Sequence, residues 1–436
     1  MSRNVLYGLS LVLVLSGLAF SVRTAVDGLE HGGCDLMYRI NEIQCAHTGV
    51  NSFDVWDRKV TTERFRGIDR DDRAKPPPED MHKLEVHAYP PWHTTYCWFY
   101  GWLPRPITTA LLGVVYGLSL AFLVGWIKRK IASFGTAQRV FVWSWLVAML
   151  LGDLVSCLGC LQYGLPLAAL ALLMYDSLDR DRDWLAAVCW ALMMVKPQVG
   201  ALFFFPLLFG RKYKVILLAG TICFVATLWP AWVYRTSPFE LILQVPKIGI
   251  PHNQEPIADK VLAPLFGKSA TFVWAGVCAA ICAVGSWLFR KSGSWLLRTL
   301  PVVWIFPLWT YSQNHDHLVA WSLALAWGML IVGAERENVS KRRLLYVCSG
   351  IEVGWLVFSS GWHFGVATRL FNPAGIGWIY ASTGKLLAWT VVPAVLFAVL
   401  LPALRAKRKC SGEKRSDLIS YSSDGRAALV AAEFPA

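Results

Sequence analysis

The sequence predicts an all-α membrane protein, a polytopic bundle of about 10–12 transmembrane helices that includes a short re-entrant pair. Two observations carry this prediction. Hydrophobic residues make up 55% of the 436 residues and charged residues only 16%, whereas about a quarter of a soluble domain is charged. The apolar residues also form uninterrupted blocks of about 18 or more, the length that a helix needs to cross hydrocarbon. Long blocks without alternation indicate helices rather than the strands of a barrel.

The positive charge of the chain fits the same architecture. The net charge is +13, and such an excess is also found in proteins that bind nucleic acid. Here, however, the basic residues stand in clusters between apolar blocks, which is typical of the cytoplasmic ends of membrane spans. We therefore expect membrane lipids and no nucleic acid among the partners. The clusters are Lys128–Lys130, Arg211–Lys214, Arg290–Lys291, Lys341–Arg343 and Arg405–Lys409.

The domain organisation follows from the order of apolar blocks and charges. Residues 5–22 form an apolar block, which we interpret as a membrane anchor rather than a cleaved signal peptide. A polar stretch over residues 23–105 then predicts a long outer loop. Residues 1–404 form the predicted transmembrane domain, and residues 405–436 a disordered cytoplasmic tail. The chain is accordingly expected to be a multi-pass protein of the inner (plasma) membrane, with both termini in the cytoplasm.

The later spans are expected near residues 107–127, 140–155, 162–175, 215–234, 269–289, 296–311, 318–334, 344–364 and 385–404. With the basic clusters inside, the segments 235–268 and 312–317 lie on the outer side. Residues 184–209 differ from the other blocks, because two apolar runs of about a dozen residues flank Lys196-Pro197-Gln198. Each run is too short to cross the bilayer. This pattern predicts a re-entrant pair of helices with a break at membrane depth, where it must face protein or a water-filled cavity.

Four polar sites lie on the outer side or at membrane depth. Ionisable groups at such depth are costly and by default indicate function. The first site contains Asp35 and Arg39, and the second is the run Tyr89-Pro90-Pro91-Trp92-His93. The third is Lys196-Pro197-Gln198, and the fourth is Asn314-His315-Asp316-His317.

Each of these sites also has a simpler interpretation. Asp35 fits a solvated loop carboxylate, and Lys196 fits a side chain that reaches back to the interface. The Tyr-Pro-Pro-Trp run fits an interfacial aromatic belt. His315, Asp316 and His317 are metal-ligand types, but no fourth ligand has a diagnostic spacing. We therefore predict no metal and no cofactor.

The order of these motifs resembles glycosyltransferase family 87, whose members are multi-span, polyprenyl-phosphate-sugar-dependent enzymes of the C type. The resemblance covers about residues 5 to 404. It is carried by an Asp after the first span in DLMYRINEIQCAHTGVNSFDVW (35–56), by Tyr-Pro-Pro (89–91), by Gln162, by MMVKPQ (193–198), by Asn253-Gln254 and by HDHLV (315–319).

Two departures from the family pattern are visible. Where members commonly read Asp-His-His, this chain reads His315-Asp316-His317, so the first two residue types are exchanged relative to the pattern. The insert at about residues 57–86 is longer and more charged than is usual in the family. This insert suggests a distinct acceptor.

The resemblance implies transfer of a hexose, most commonly mannose, from a polyprenyl-phosphate donor to a hydroxyl of a lipid or glycan acceptor at the outer face. A hydroxyl needs a base to take its proton, and Asp35 matches the family's catalytic Asp. The leaving phosphate needs cationic donors, and Lys196 at the helix break is the first candidate. The full set of expected donor-binding residues is Lys196, Gln198, His317, His315, Arg39, Tyr89 and Asn253.

Two other functions remain open from the sequence. A lipid or sugar transporter, or a flippase, also has broken helices and charges near the midplane. It predicts inverted repeats, and the two halves of the chain show none. A lipid-linked polymerase or ligase of related shape is the second alternative.

Overall fold

A computed structural model describes residues 39–40, 42–43, 46–47, 89–149, 162–249, 262–291, 295–299, 301–302, 305–306, 319 and 322. Within these ranges the secondary structure is helical and contains no strand. The all-α prediction is therefore confirmed for this part of the chain. The predicted anchor at residues 5–22, the insert at 57–86, the later spans and the tail at 405–436 lie outside the described residues. The total number of spans stays a prediction.

The helices are numbered in chain order: α1 Pro91–Tyr96, α2 Arg105–Lys130, α3 Thr136–Met149, α4 Gly164–Asp179, α5 Asp183–Met193, α6 Pro197–Gly200, α7 Phe204–Phe209, α8 Tyr213–Tyr234, α9 Pro238–Gly249, α10 Ala263–Phe266, α11 Ala270–Phe289 and α12 Trp295–Arg298. Three helices are long and apolar enough to cross a membrane, namely α2 from Pro106 onward, α8 and α11. Many of their large apolar side chains are exposed on the surface, as lipid-facing side chains would be.

Contacts between helices define a common direction in the bundle. At one end, Lys130 Nζ of α2 lies 3.8 Å from Asp176 Oδ1 of α4. Tyr116 and Gln162 come fourteen residues before Lys130 and Asp176, respectively. The Tyr116 hydroxyl donates a hydrogen bond to the Gln162 carbonyl. The helices α2 and α4 are therefore parallel. We call the end with Lys128–Lys130 the basic end, and Gln162 lies about 21 Å from it at a rise of 1.5 Å per residue.

The segment from α5 to α7 forms a hairpin whose two ends meet at the basic end. Lys212 follows α7, and its Nζ lies 2.8 Å from Asp183 Oδ1 at the start of α5 and 2.8 Å from Asp181 Oδ1. The carboxylate of Asp181 is exposed, and the hydrogen bond from Lys212 lowers its pKa. Each arm rises only about 17–20 Å, too little to cross a hydrocarbon core of about 30 Å. The predicted break at Lys196 is confirmed, and it lies at the apex of this hairpin.

The backbone at the apex finds its partners within the protein. Lys196 is extended, as a residue before proline must be, and its carbonyl accepts the N–H groups of Val199 and Gly200 at 2.8 and 3.0 Å. Two indole N–H groups bind the neighbouring carbonyls. Trp92 Nε1 donates to Met194 at 2.8 Å, and Trp190 Nε1 donates to Gly200 at 2.9 Å. These bonds satisfy carbonyl groups that the break would otherwise leave unpaired at membrane depth.

The segment 235–268, predicted only as an outer loop, contains the helix α9. Arg235, in the left-handed conformation with φ 53°, ends α8. The following helix packs back through Leu241, which is fully buried beside Ala231. The sequence alone did not predict α9, because Pro246 lies inside it and proline commonly ends a helical pattern.

Gly200 provides a test of the tight packing at the apex. A Cβ at this position would lie 2.8 Å from Met194 Sδ and 3.0 Å from the Met193 carbonyl oxygen. We expect Gly200→Ala to destabilise the protein by about 1–3 kcal/mol, the usual cost of overpacking. The measurement is thermal unfolding in detergent.

Gly220 is the matched control, because it lies on the exposed face of α8 with nothing within 4 Å of a Cβ. Gly220→Ala should be neutral or stabilising by up to about 1 kcal/mol, since alanine favours a helix. Equal unfolding temperatures for the two variants would contradict the described apex.

Candidate active site

A short helical segment before α1 brings two charged side chains into the protein. Residues 39–40, 42–43 and 46–47 are helical, and we call this segment the loop helix. Arg39 and Glu42 are three residues apart and therefore share one face. Both are 0% exposed. Further along the segment, the centroid of the His47 ring lies 4.9 Å from that of Trp102 and 6.1 Å from that of Trp229 in α8, so His47 also contacts the rest of the protein.

Residues at the start of α1 contact the Glu42 side chain. Pro90 and Pro91 fix the backbone at the helix start, where missing N–H groups cost nothing. The N–H of Tyr89 just before them donates to Glu42 Oε1 at 3.1 Å. The Tyr89 ring in turn stacks on the ring of His93, one helical turn later, with centroids 4.4 Å apart. His93 Nδ1 lies 3.9 Å from Glu42 Oε2.

Tyr163, the residue before α4, connects α1 to the loop helix. Its hydroxyl lies 3.1 Å from His93 Nε2 and 3.4 Å from Cys97 Sγ. The guanidinium carbon of Arg39 lies 4.2 Å from the centroid of the Tyr163 ring and 5.7 Å from that of Tyr89. We call Arg39, Glu42, Tyr89, His93 and Tyr163 the Arg39 cluster.

The hydrogen bond between His93 and Tyr163 is buried, with exposed fractions of 0% and 8% for the two residues. Which of the two atoms donates depends on the tautomer of the imidazole.

The apex of the hairpin carries a second buried cation. Lys196 is 3% exposed, and Gln198 is half-buried in the first turn of α6. Trp92 joins this apex to the Arg39 cluster, because it precedes His93 in α1 and donates to the carbonyl of Met194. Met194 lies about 17 Å from the basic end and Tyr163 about 20 Å, so the two groups lie at similar depth.

The depth of α1 follows independently from its contacts with α8. The Thr95 hydroxyl donates to the carbonyl of Ala226, and the Tyr96 hydroxyl lies 3.8 Å from Cys223 Sγ. Ala226 lies about 20 Å from the start of α8, which is at the basic end. The short helix α1 therefore lies beside α8, at about the same distance from the basic end as Gln162.

The structure describes four of the residues predicted for the site and places them in two groups that Trp92 connects. Arg39 and Tyr89 belong to one cluster, and Lys196 and Gln198 lie at the hairpin apex. Asp35, His315, His317 and Asn253 lie outside the described residues. Among the described residues, no group of three or more His, Cys, Asp or Glu side chains is arranged to hold a metal ion.

Glu42, His93 and Tyr163 were not among the predicted catalytic or donor-binding residues, although His93 belongs to the second polar site. Two of them stood beside predicted ones, since Glu42 follows Arg39 by three positions and His93 ends the Tyr-Pro-Pro-Trp-His run. Tyr163 follows Gln162, which the motif order had singled out. A lone tyrosine at the start of an apolar block carried no signal of its own, because its partners are distant in sequence.

Residues 87–359, more than half of the chain, match the model of glycosyltransferase family 87. The chain belongs to this family. It is therefore a membrane glycosyltransferase with a sugar donor and an acceptor. The matched region includes α1, Tyr163 and the hairpin with Lys196. Searches of curated proteins and of solved structures found no match.

Proposed function

We propose that this family member transfers a hexose, with mannose as the first sugar to test, from a polyprenyl-phosphate donor to a hydroxyl of a lipid or glycan acceptor. In this proposal the reaction takes place on the outer side of the inner (plasma) membrane, within a multi-pass bundle whose basic end is cytoplasmic. The Arg39 cluster and the hairpin apex then lie in the outer half of the bilayer. A lipid-linked donor is confined to the same depth.

The observation that carries the proposal is the presence of two buried cations at this depth. Arg39 is 0% exposed and Lys196 is 3% exposed. Buried cations stabilise an anionic ligand far more strongly than exposed ones, because the surroundings screen their charge less. A donor phosphate whose negative charge increases as the sugar leaves fits such a site.

The chemistry assigns a role to each group. The acceptor oxygen forms a bond to the anomeric carbon while the bond from that carbon to the phosphate oxygen breaks. Asp35 takes the hydroxyl proton as the general base, and the polyprenyl phosphate leaves with the bonding electrons. Lys196 and Arg39 stabilise the phosphate, and the remaining polar groups orient the donor by hydrogen bonds. These groups are Gln198, Tyr89, Asn253, His315 and His317.

A flippase is the alternative to transfer, and it also requires cations that bind a lipid phosphate. Membership of a glycosyltransferase family favours transfer. A flippase leaves the bond between sugar and phosphate intact, whereas a transferase breaks it. The two functions therefore differ in their products.

Lys196→Met tests the phosphate site, because methionine keeps much of the length and removes the charge. We expect donor affinity to fall by about tenfold or more, the equivalent of one charged hydrogen bond of about 1.5–3 kcal/mol. The measurement is binding of the polyprenyl-phosphate donor to purified protein. Lys214→Met is the matched control, since Lys214 is exposed in the first turn of α8. Unchanged donor binding in Lys196→Met, with a folded protein, would remove Lys196 from the site.

Asp35→Asn tests the general base. The amide keeps the shape but cannot accept the proton, so turnover should fall by about 10²–10⁴-fold while donor binding persists. Asp27→Asn changes a carboxylate of the same polar stretch and should leave turnover near the wild-type rate. Near-normal turnover of Asp35→Asn would move the role of the base to another carboxylate, with Asp316 the next to test.

A further inference from the structure

The contacts around Arg39 form a continuous chain that ends on its guanidinium. Glu42 Oε1 accepts the N–H of Tyr89 at 3.1 Å, and the Tyr89 ring stacks on His93. His93 Nε2 then meets the Tyr163 hydroxyl at 3.1 Å. The face of the Tyr163 ring finally lies 4.2 Å from the guanidinium carbon of Arg39.

We infer that Tyr163 is a positioning residue for the donor phosphate, which it holds in place indirectly by fixing the Arg39 guanidinium through its ring face. Glu42 and His93 orient Tyr163 in this arrangement. The inference rests on the proposed role of Arg39 as a phosphate ligand.

The attraction between the Arg39 guanidinium and the Tyr163 ring depends on their relative position and on their burial. A guanidinium over an aromatic face is attracted by the negative face of the ring, and the attraction grows when water is excluded. Arg39 and Tyr163 are both buried, with exposed fractions of 0% and 8%. Arginine has many rotamers, so an interaction that selects one of them lowers the entropy cost of binding the phosphate.

The hydroxyl of Tyr163 supports this role. Its bond to His93 anchors the outer end of the Tyr163 side chain and limits its movement about χ1. His93 itself lies between the Tyr89 ring and Glu42. Arg39 and Glu42 lie on the same face of the loop helix, so both of its charged groups dock onto one assembly. These contacts fix the position of the Arg39 guanidinium relative to α1. Because Trp92 of α1 donates to the carbonyl of Met194, they also fix it relative to the hairpin apex with Lys196.

The test compares Tyr163→Phe with pentafluorophenylalanine incorporated at position 163. The two rings have nearly the same shape, but fluorination reverses the charge of the ring face and removes the attraction for a cation. We expect the KM for the polyprenyl-phosphate donor to rise about threefold to thirtyfold from the first variant to the second, with a smaller change in kcat. The same pair of substitutions at Tyr175, a buried tyrosine about 18 Å further along α4, is the control and should leave KM unchanged.

A double-mutant cycle with Arg39→Met then shows whether Tyr163 acts through Arg39. If it does, fluorination at position 163 changes the donor KM in the Arg39 protein but not in the Arg39→Met protein. Equal KM values for the Phe and pentafluorophenylalanine proteins, or equal effects in both backgrounds, would overturn the inference. An unchanged KM in Arg39→Met alone would instead remove Arg39 from the proposed phosphate site, and the inference with it.

Discussion

Polar groups at membrane depth have to find their partners inside the protein, and this constraint shapes the region around Lys196. A proline after Lys196 ends the helical hydrogen-bond pattern about 17–20 Å from the basic end. In hydrocarbon, each unpaired carbonyl would cost several kcal/mol. The chain meets this requirement with the indoles of Trp92 and Trp190, and with the close approach that Gly200 permits. The same bonds that satisfy the break also locate its lysine.

The Arg39 cluster follows from the same constraint. A buried arginine, carboxyl group and imidazole would be costly in isolation, so they occur together with aromatic rings and backbone donors that compensate for burial. The loop helix, α1 and the start of α4 each contribute to the cluster, although residues 39 and 163 are far apart in the sequence. The result is a polar region in the upper part of an apolar bundle. This region contains two buried cations, Arg39 and Lys196.

The sequence predicted those features that depend on local pattern. Apolar length predicted the helices α2, α8 and α11, and the Lys-Pro step predicted the break. The motif order predicted the family, which the match over residues 87–359 confirms. The contacts of Glu42, His93 and Tyr163 were not predictable, because they depend on how distant segments pack. The helix α9 was missed because Pro246 lies inside it.

The most direct measurement is the fate of the donor lipid with the purified wild-type protein in a membrane mimic. A donor labelled in both the sugar and the lipid reports whether the bond between sugar and phosphate breaks. We expect free polyprenyl phosphate to appear only when an acceptor is present, in a one-to-one ratio with transferred sugar. A donor that crosses vesicle membranes with this bond intact, and that yields no polyprenyl phosphate with any acceptor, would contradict the transferase function and establish a flippase instead.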